Sequence, residues 1–232
     1  MNHQVVSKDE WIAARKQLLS KEKEFTRLRD ELSRQRRDLP WERVDKQYVF
    51  EGANGPLTLP ELFDGRHQLV VYHFMFAPEW ENGCKSCSFW ADNFNGIVAH
   101  LNQRDVSFAA ISRAPWQKLH AFAQRLGWTF RWVSSGATDF NFDYRVSFTE
   151  QQVRGEVDYN YEQRKFPATD APGVSVFLRD GDTVFHTYSS FGRGIDMLNT
   201  AYHYLDLVPK GRDEQDLPSP MAWVKLHDLY SI

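Results

Sequence analysis

The stretch that decides the fold runs from residue 68 to residue 91 and reads QLVVYHFMFAPEWENGCKSCSFWA. Its first nine residues, 68–76, are apolar on both alternating faces, which is typical of a buried central strand. A loop then leads to Cys84 and Cys87, and apolar residues at helical spacing follow as far as Leu101. The sequence therefore predicts a Cys-x-x-Cys pair at a strand-to-helix junction, on the first turn of the helix.

This position suits redox chemistry. The thiolate is the attacking species in thiol–disulfide exchange, and a helix N-terminus can lower a cysteine pKa from about 8.5 to between ~3.5 and ~7.5. Cys84 is better placed to receive that stabilisation, whereas Cys87 lies one turn further along the helix. We therefore expect Cys84 to be the nucleophile and Cys87 the resolving thiol.

Two other interpretations of the pair stay open. A structural bridge closing so short a loop contributes only about 2 kcal/mol before strain. Structural zinc needs four ligands, and without a second cysteine pair the fold would have to bring together two of His67, His73 and His100. No metal and no bound cofactor are predicted, because the two sulfurs can hold the electrons themselves.

Strand and helix patterns alternate on both sides of the pair. An Asp-Gly turn joins the last two predicted strands as a hairpin. Residues 134–171 have weak periodicity and predict a lid, an insertion or short elements. The predicted strands are 47–50, 68–76, 106–111, 130–133, 174–178 and 183–186, and the predicted helices after the pair include 115–126 and 195–205. This alternation predicts an α/β domain.

Residues 7–38 are predicted to form one long charged helix that begins at a capping box of Ser7 and Glu10. A narrow apolar seam follows it at steps of three and four residues, from Trp11 to Leu32. The seam suits a homodimerisation or docking arm, or a helix packed on its own domain. We predict an N-terminal helical arm at 1–46, a main domain at 47–209 and a docked C-terminal tail at 210–232.

Composition excludes several classes of protein. The 232 residues hold 28 Lys and Arg against 31 Asp and Glu, a net charge of −3. The chain therefore lacks the basic surplus that would predict nucleic-acid binding. The longest apolar stretch, 69–77, is far below the ~20 residues of a membrane span. No secretory signal is visible, and two cysteines cannot form a disulfide framework. These features predict a cytoplasmic protein.

Several motifs resemble a known family. Leu59–Gly65, followed by Leu69–Phe74 and the Cys pair, resembles the entry to thioredoxin-like and peroxiredoxin-like domains. More closely, residues 73–76, 83–92, 112–115 and 185–189 are similar to the bacterial domain-of-unknown-function family eight-nine-nine, over nearly the whole chain. The resemblance implies a thioredoxin-like fold, with a central mixed sheet flanked by helices and an N-terminal helical extension.

The chain departs from thioredoxins at two positions. Thioredoxins place a cis-proline opposite the Cys pair, where this sequence has Gly173 with Pro172 one residue earlier. The tryptophan that precedes the first thioredoxin cysteine is replaced by Gly83, and Trp80 lies four residues before Cys84. The sequence leaves the isomer of Pro172 open.

The peroxiredoxin motif Pro-x-x-x-Thr-x-x-Cys is also absent. With Cys87 as the reactive residue, Cys84 would occupy the Thr position and Trp80 the Pro position. Arg113, at the end of a predicted strand, is the best candidate to polarise a peroxide oxygen and lower a thiol pKa. His73 alternates with apolar neighbours and is expected to be a hydrogen-bonded core residue.

The function predicted from Cys84 and Cys87 is thiol–disulfide oxidoreduction on a protein or small-molecule disulfide. A peroxiredoxin-like thiol peroxidase is one alternative. The other is a non-catalytic binding or scaffolding module whose N-terminal helix mediates assembly.

Overall fold

The computed structural model describes residues 3–231, which form two compact units that divide between Pro40 and Trp41. The first unit is essentially α1, Lys8–Arg37. At its start, the Ser7 side chain accepts from the Glu10 backbone N–H and the Glu10 carboxylate accepts from the Ser7 N–H at 2.9 Å, which is the expected capping box. The boundaries at 46/47 and 209/210 stay a prediction.

The second unit is built on an eight-stranded mixed sheet in the order β1-β10-β9-β4-β5-β6-β2-β3. β4, β5 and β6 run parallel, and the other pairs are antiparallel. A separate hairpin pairs β7 with β8. The strands are β1 Glu42–Arg43, β2 Val49–Gly52, β3 Gly55–Thr58, β4 Gln68–His73, β5 Val106–Ser112, β6 Trp132–Ser134, β7 Val157–Tyr159, β8 Glu162–Arg164, β9 Gly173–Asp180 and β10 Thr183–Phe191.

Helices cover this sheet, so the α/β class with a central mixed sheet flanked by helices and an N-terminal helix is confirmed. The helices of the second unit are α2 Lys85–Ala91, α3 Asn95–Asn102, α4 Trp116–Arg125, α5 Phe140–Asp143, α6 Glu150–Val153 and α7 Thr200–Leu205, with 3-10 helices at Pro60–Phe63, Gly192–Leu198 and His227–Leu229. No described helix is both long and apolar enough to cross a membrane.

The two faces of β4 contribute to different cores, because side chains alternate along a strand. Tyr72 belongs to a core that also holds Cys87, residues of α2 and α4, and Leu226 of the C-terminal segment. Leu69 and Val71 belong to a second core on the opposite face. The strand therefore turns Tyr72 toward the cysteine pair and His73 away from it.

The helical pattern that follows the cysteine pair is divided into α2 and α3. The Asn93 side chain donates to the carbonyls of Phe89 at 2.9 Å and Trp90 at 3.1 Å, which competes with continuation of the helix. Residues 134–171 contain short elements rather than one long loop, and together with Phe191 of β10 they form a small apolar core.

Candidate functional site

The cysteine pair lies where the chain turns back after β4. The Cys84 backbone N–H donates to the Met75 carbonyl at 3.0 Å, which ties the start of α2 to the end of the strand. Cys84 is the N-cap residue of α2, and its carbonyl accepts from the Ser88 N–H at 2.9 Å. Cys87 lies one turn further along α2, as the sequence spacing predicts.

The two thiols differ in exposure and in acidity. Both are free thiols, with Cys84 partly buried and Cys87 only 2% exposed. A hydrogen bond from the Cys87 thiol, helped by the backbone N–H groups of Cys87 and Ser86, lowers the pKa of Cys84 to about 7. Burial, and then the neighbouring Cys84, raises the pKa of Cys87 well above its usual value. The arrangement favours the thiolate form of Cys84 and the protonated thiol form of Cys87.

Two groups from β4 and the turn after it contact Cys87. The Met75 backbone N–H donates to the Cys87 sulfur at 3.5 Å. Tyr72 is 1% exposed, and its hydroxyl has no hydrogen-bond partner of good geometry among the described residues. It nevertheless lies close enough to Cys87 for each group to influence the other's pKa. Burial and then Cys87 raise the pKa of Tyr72, so the phenol keeps its proton.

A cavity of about 880 Å³ opens beside Cys87. Tyr72 of β4, Met75 in the turn after it and Trp90 of α2 line the cavity, and so does Pro172, directly before β9. Residues 210–216, 220 and 221 of the C-terminal segment form another wall. Cys84 is not among the residues that line this cavity, so the two sulfurs face different surroundings.

Two side chains of the C-terminal segment hold that wall in place. The Glu214 carboxylate accepts from the Tyr202 hydroxyl at 2.8 Å and from the Trp223 indole N–H at 2.6 Å. The Arg212 guanidinium lies 3.8 Å from the centre of the Tyr202 ring and donates to Asp206 at 2.7 Å. The segment is therefore docked by polar contacts as well as by apolar ones.

Arg113 is engaged elsewhere. Its Nε donates to the buried carboxylate of Asp170 at 2.7 Å, and its guanidinium stacks over the Phe142 ring at 5.5 Å. Arg113 is not among the residues that line the cavity beside Cys87. Its catalytic role stays a prediction, and the ion pair with Asp170 accounts for its position.

The histidines considered for a metal site lie in separate surroundings. His73 is buried, and its Nε2 is 2.8 Å from the Ser175 hydroxyl. The Nδ1 of His67 is 2.9 Å from the Asp105 carboxylate. Within residues 3–231, no group of three or more His, Cys, Asp or Glu side chains is arranged to hold a metal ion.

The departures from thioredoxin have local physical causes. No described peptide bond is cis, so Pro172 is trans. A Cβ on Gly83 would lie 2.8 Å from the Phe74 ring and 3.0 Å from the Phe122 ring, which leaves no room for a tryptophan.

The model of a family described as "bacterial protein of unknown function (DUF899)" matches residues 1–230. The chain belongs to the DUF899 family. No curated protein matches this DUF899 chain.

Among solved structures, peroxiredoxin Q of Xanthomonas campestris matches this DUF899 protein with a TM-score of 0.50 at 14% identity, over 71% of this chain and 94% of the other. The peroxidoxin BcpB of Mycobacterium tuberculosis matches with a TM-score of 0.46 at 15% identity, over 69% of this chain and 93% of the other. The first likeness confirms the thioredoxin-like fold predicted from the sequence.

Two features of the site in this DUF899 protein are absent from the sequence-based prediction. In the sequence, Tyr72 is one of several apolar residues of a predicted buried strand. Strict alternation from His73 would nevertheless have placed it on the opposite face, on the side of α2. The cavity wall formed by residues 210–221 has no local sequence signal, because it depends on long-range contacts such as those of Glu214.

Proposed function

We propose that this protein is a thiol–disulfide oxidoreductase that uses Cys84 and Cys87. The observation that carries the proposal is the pairing of two unlike thiols one helical turn apart at the N-terminus of α2. Cys84 is the more exposed and the more acidic, and Cys87 is buried beside it. This is the division of properties that a nucleophile and a resolving thiol require.

In the first step, the Cys84 thiolate attacks one sulfur of a substrate disulfide. A bond forms between Cys84 and that sulfur, the substrate S–S bond breaks, and the other half leaves as a thiolate that takes a proton from water. Cys87 then loses its proton and attacks the Cys84 sulfur, which releases the second half as a thiolate. The substrate disulfide is reduced by two electrons and the cysteine pair is oxidised.

A cellular thiol must then return the pair to its reduced form. Reducing conditions such as those of the cytoplasm would supply one, and the exchange needs no bound cofactor because both electrons reside in the sulfurs. The substrate is a protein or small-molecule disulfide.

A redox titration with thiol alkylation and intact-mass measurement tests this proposal. We expect each wild-type chain to take up two alkyl groups at reducing potentials and none at oxidising potentials. A single cooperative two-electron transition should separate the two states. Cys84→Ser and Cys87→Ser should each keep one alkylation under every condition. A wild-type pair that stays reduced across the physiological range of potentials would rule the oxidoreductase out.

A second candidate is thiol peroxidase activity, and the peroxiredoxins among the structural neighbours favour it. In that reaction the Cys84 thiolate would attack a peroxide oxygen, giving a sulfenic acid and an alcohol or water, and Cys87 would then form the disulfide with release of water. Stopped-flow measurement of hydroperoxide consumption decides the matter. A second-order rate constant no greater than that of free cysteine would exclude this candidate.

A further inference from the structure

Tyr72 carries a hydroxyl that the resting protein does not use. The residue is 1% exposed, and the hydroxyl has no hydrogen-bond partner of good geometry among residues 3–231. Burying such a group costs free energy that a phenylalanine would not, because the hydrogen bond with water is forfeited. Buried hydroxyls of this kind are rare in folded proteins, and a role in nearby chemistry is one reason to retain them.

The reactive group beside this hydroxyl is the sulfur of Cys87. Tyr72 and Cys87 pack in the same apolar core and line the same cavity. They lie close enough for the phenol and the thiol to influence each other's pKa. The Met75 backbone N–H also donates to the Cys87 sulfur, at 3.5 Å. Two donors, from β4 and from the turn after it, therefore face one sulfur.

A second tyrosine near Cys87 has no spare donor. Burial, and to a smaller extent Cys87, raises the pKa of Tyr159. The Tyr159 hydroxyl, however, donates to the Pro172 carbonyl at 2.7 Å and accepts from the Gly192 N–H at 2.9 Å. Of these two tyrosines, Tyr72 is the one whose hydroxyl is available to Cys87.

The two donors gain strength when Cys87 loses its proton. A neutral thiol is a weak hydrogen-bond acceptor, whereas bonds to an ionised group are roughly twice as strong as neutral ones. Interactions that strengthen as a reaction proceeds are the ones that accelerate it. The Tyr72 hydroxyl is therefore placed to favour the thiolate form of Cys87 over the thiol form.

Cys87 needs this help in the second step of the exchange. In the resting pair, burial raises the pKa of the Cys87 thiol, and the hydrogen bond to Cys84 and its charge raise it further. Once Cys84 is bonded to a substrate sulfur, it no longer carries a charge, so burial remains the main obstacle to ionisation. The Met75 N–H and the Tyr72 hydroxyl act against burial.

We propose that Tyr72 is a catalytic residue of the resolving step, in which its hydroxyl donates to the Cys87 thiolate as that sulfur attacks the mixed disulfide on Cys84. Cys87 gives its proton to water at the cavity that it lines. The bond between Cys87 and Cys84 then forms, the bond from Cys84 to the substrate sulfur breaks, and the substrate half leaves as a thiolate. Tyr72 keeps its own proton throughout. This role rests on the proposed function, because it belongs to the second step of that exchange.

Single-turnover exchange with 4,4′-dithiodipyridine separates the two steps on the full, reduced chain. Attack by Cys84 releases one 4-thiopyridone at a rate proportional to the reagent concentration. Attack by Cys87 releases a second 4-thiopyridone at a rate that does not depend on the reagent concentration, and Cys87→Ala should lack this phase. Stopped-flow absorbance of the released 4-thiopyridone measures both rates.

Tyr72→Phe removes the hydroxyl and keeps the ring. We expect an unchanged first phase and a second phase about 3- to 10-fold slower at pH 7, because the lost hydrogen bond is partly offset by a more nucleophilic thiolate. The difference should narrow as the pH rises toward 10, since Cys87 then ionises without help. Tyr48→Phe is the matched control and should keep both wild-type rates, because the Tyr48 hydroxyl donates to Asp143 on the other face of the sheet.

Stability distinguishes this role from a structural one. Loss of a buried hydroxyl without a partner should leave the urea midpoint of Tyr72→Phe equal to that of wild type or higher. A lower midpoint would show that the resting core already satisfies the hydroxyl, and would overturn the proposal.

The kinetic outcomes separate failure of this role from failure of the proposed function. An equally fast second phase in wild type and Tyr72→Phe, or a slowing of the same size at pH 7 and pH 10, would refute the role of Tyr72 alone. Release of only one 4-thiopyridone by the wild-type chain, or a second phase that scales with reagent concentration, would refute the oxidoreductase as well.

Discussion

At the scale of single residues, Cys84 and Cys87 have pKa values shifted in opposite directions. A hydrogen bond from Cys87 lowers the pKa of Cys84, whereas burial, and then Cys84, raises the pKa of Cys87. Because thiolate reacts with iodoacetamide and thiol does not, the alkylation rate of Cys84 should rise with pH around a midpoint near 7. Cys87 should react at least about tenfold more slowly at pH 7, since burial limits both ionisation and access. Peptide mass mapping over a pH series measures both rates.

Single-cysteine variants provide the control for this experiment. In Cys87→Ala, loss of the thiol donor should move the Cys84 midpoint to higher pH, because the first cause of its lowered pKa is that hydrogen bond. Equal rates for the two cysteines in the wild-type chain would contradict the assignment of nucleophile and resolving thiol.

His73 makes a separate prediction for stability against pH. Burial, and then His186, lowers the pKa of His73 to about 3 from an unfolded value of about 6.5. The unfolded chain therefore binds more protons below pH 6.5, and the free energy of unfolding falls as the pH drops from 6.5 toward 3. The contribution from this residue is at most about 1.4 kcal/mol per pH unit in that window. Urea titrations at pH 7 and pH 5 measure it.

The variant His73→Asn keeps a polar partner for Ser175 and removes the titrating ring. It should flatten the loss of stability between pH 7 and pH 5 relative to wild type. His67→Asn serves as the comparison, because His67 is largely exposed. An identical pH dependence in His73→Asn and wild type would refute the prediction.

The sequence predicted the positions of some of these residues but not of others. Cys84, Cys87 and the core position of His73 followed from local spacing and strand alternation, which are properties of a few neighbouring residues. The ion pair of Arg113 with Asp170 joins residues 57 positions apart, and the chain alone does not indicate such a distant partner. Tyr72 is harder still, because its place in the same core as Cys87 depends on how α2 packs on β4.

At the scale of elements, Gly83 shows how packing sets the approach to α2. A Cβ at this position would lie too close to Phe74 and Phe122, so Gly83→Ala should destabilise the fold by about 1–3 kcal/mol. Gly96→Ala in α3 meets no atom within 4 Å and should be neutral or stabilising by up to about 1 kcal/mol. Chemical denaturation compares the two, and a neutral Gly83→Ala would show that the rings move aside.

The first and last residues of an element could be predicted where a local sequence signal marks them. They could not be predicted where tertiary contacts determine them. The capping box located the start of α1, and the Asp-Gly turn located the hairpin of β9 and β10. The break between α2 and α3 depends on how the Asn93 side chain is oriented. The two-residue strand β1 exists only because it pairs with β10, so its own sequence carries no strand pattern.

Glu214 is expected to hold the C-terminal wall of the cavity. Its partial burial raises its pKa, but the hydrogen bonds from Trp223, Tyr202 and the Met221 N–H outweigh burial and lower the pKa overall. These contacts therefore stabilise the docked segment above about pH 4.5, and their contribution is lost as the pH falls through the lowered pKa. Glu214→Gln should speed amide exchange in residues 212–224 by about tenfold at pH 7.

The control for this variant is Asp216→Asn, which removes a carboxylate from an exposed neighbouring position. It should leave the exchange of residues 212–224 unchanged. Equal exchange rates in Glu214→Gln and Asp216→Asn would show that apolar docking alone holds the segment.

At the scale of the whole molecule, the sheet separates two kinds of surroundings. One face carries the cysteine pair, Tyr72 and the cavity, and the other carries the buried His73 and its serine partner. Tyr72 and His73 are consecutive residues of β4, and their side chains lie on opposite faces of the sheet. Chemistry at Cys84 and Cys87 is thus insulated from protonation of His73, and the two predictions above can be tested independently.

The remaining feature at this scale is α1. Its apolar seam has the heptad spacing of a coiled coil, and Leu18 and Phe25 are 52% and 66% exposed. A 30-residue helix is about 45 Å long, sufficient for a two-stranded coiled coil. We therefore expect α1 to pair with α1 of a second copy, as one interpretation of the sequence predicts.

Sedimentation equilibrium on the full chain tests this assembly. The double variant Leu18→Glu with Phe25→Glu should reduce a dimeric mass to the monomer, because charges in the seam repel across a paired interface. Ser20→Glu with Thr26→Glu adds the same charge away from the seam and should stay dimeric. If the seam instead packs on its own chain, the first double variant lowers the unfolding temperature without changing the mass. That result, or a monomeric wild-type chain, would refute dimerisation through α1.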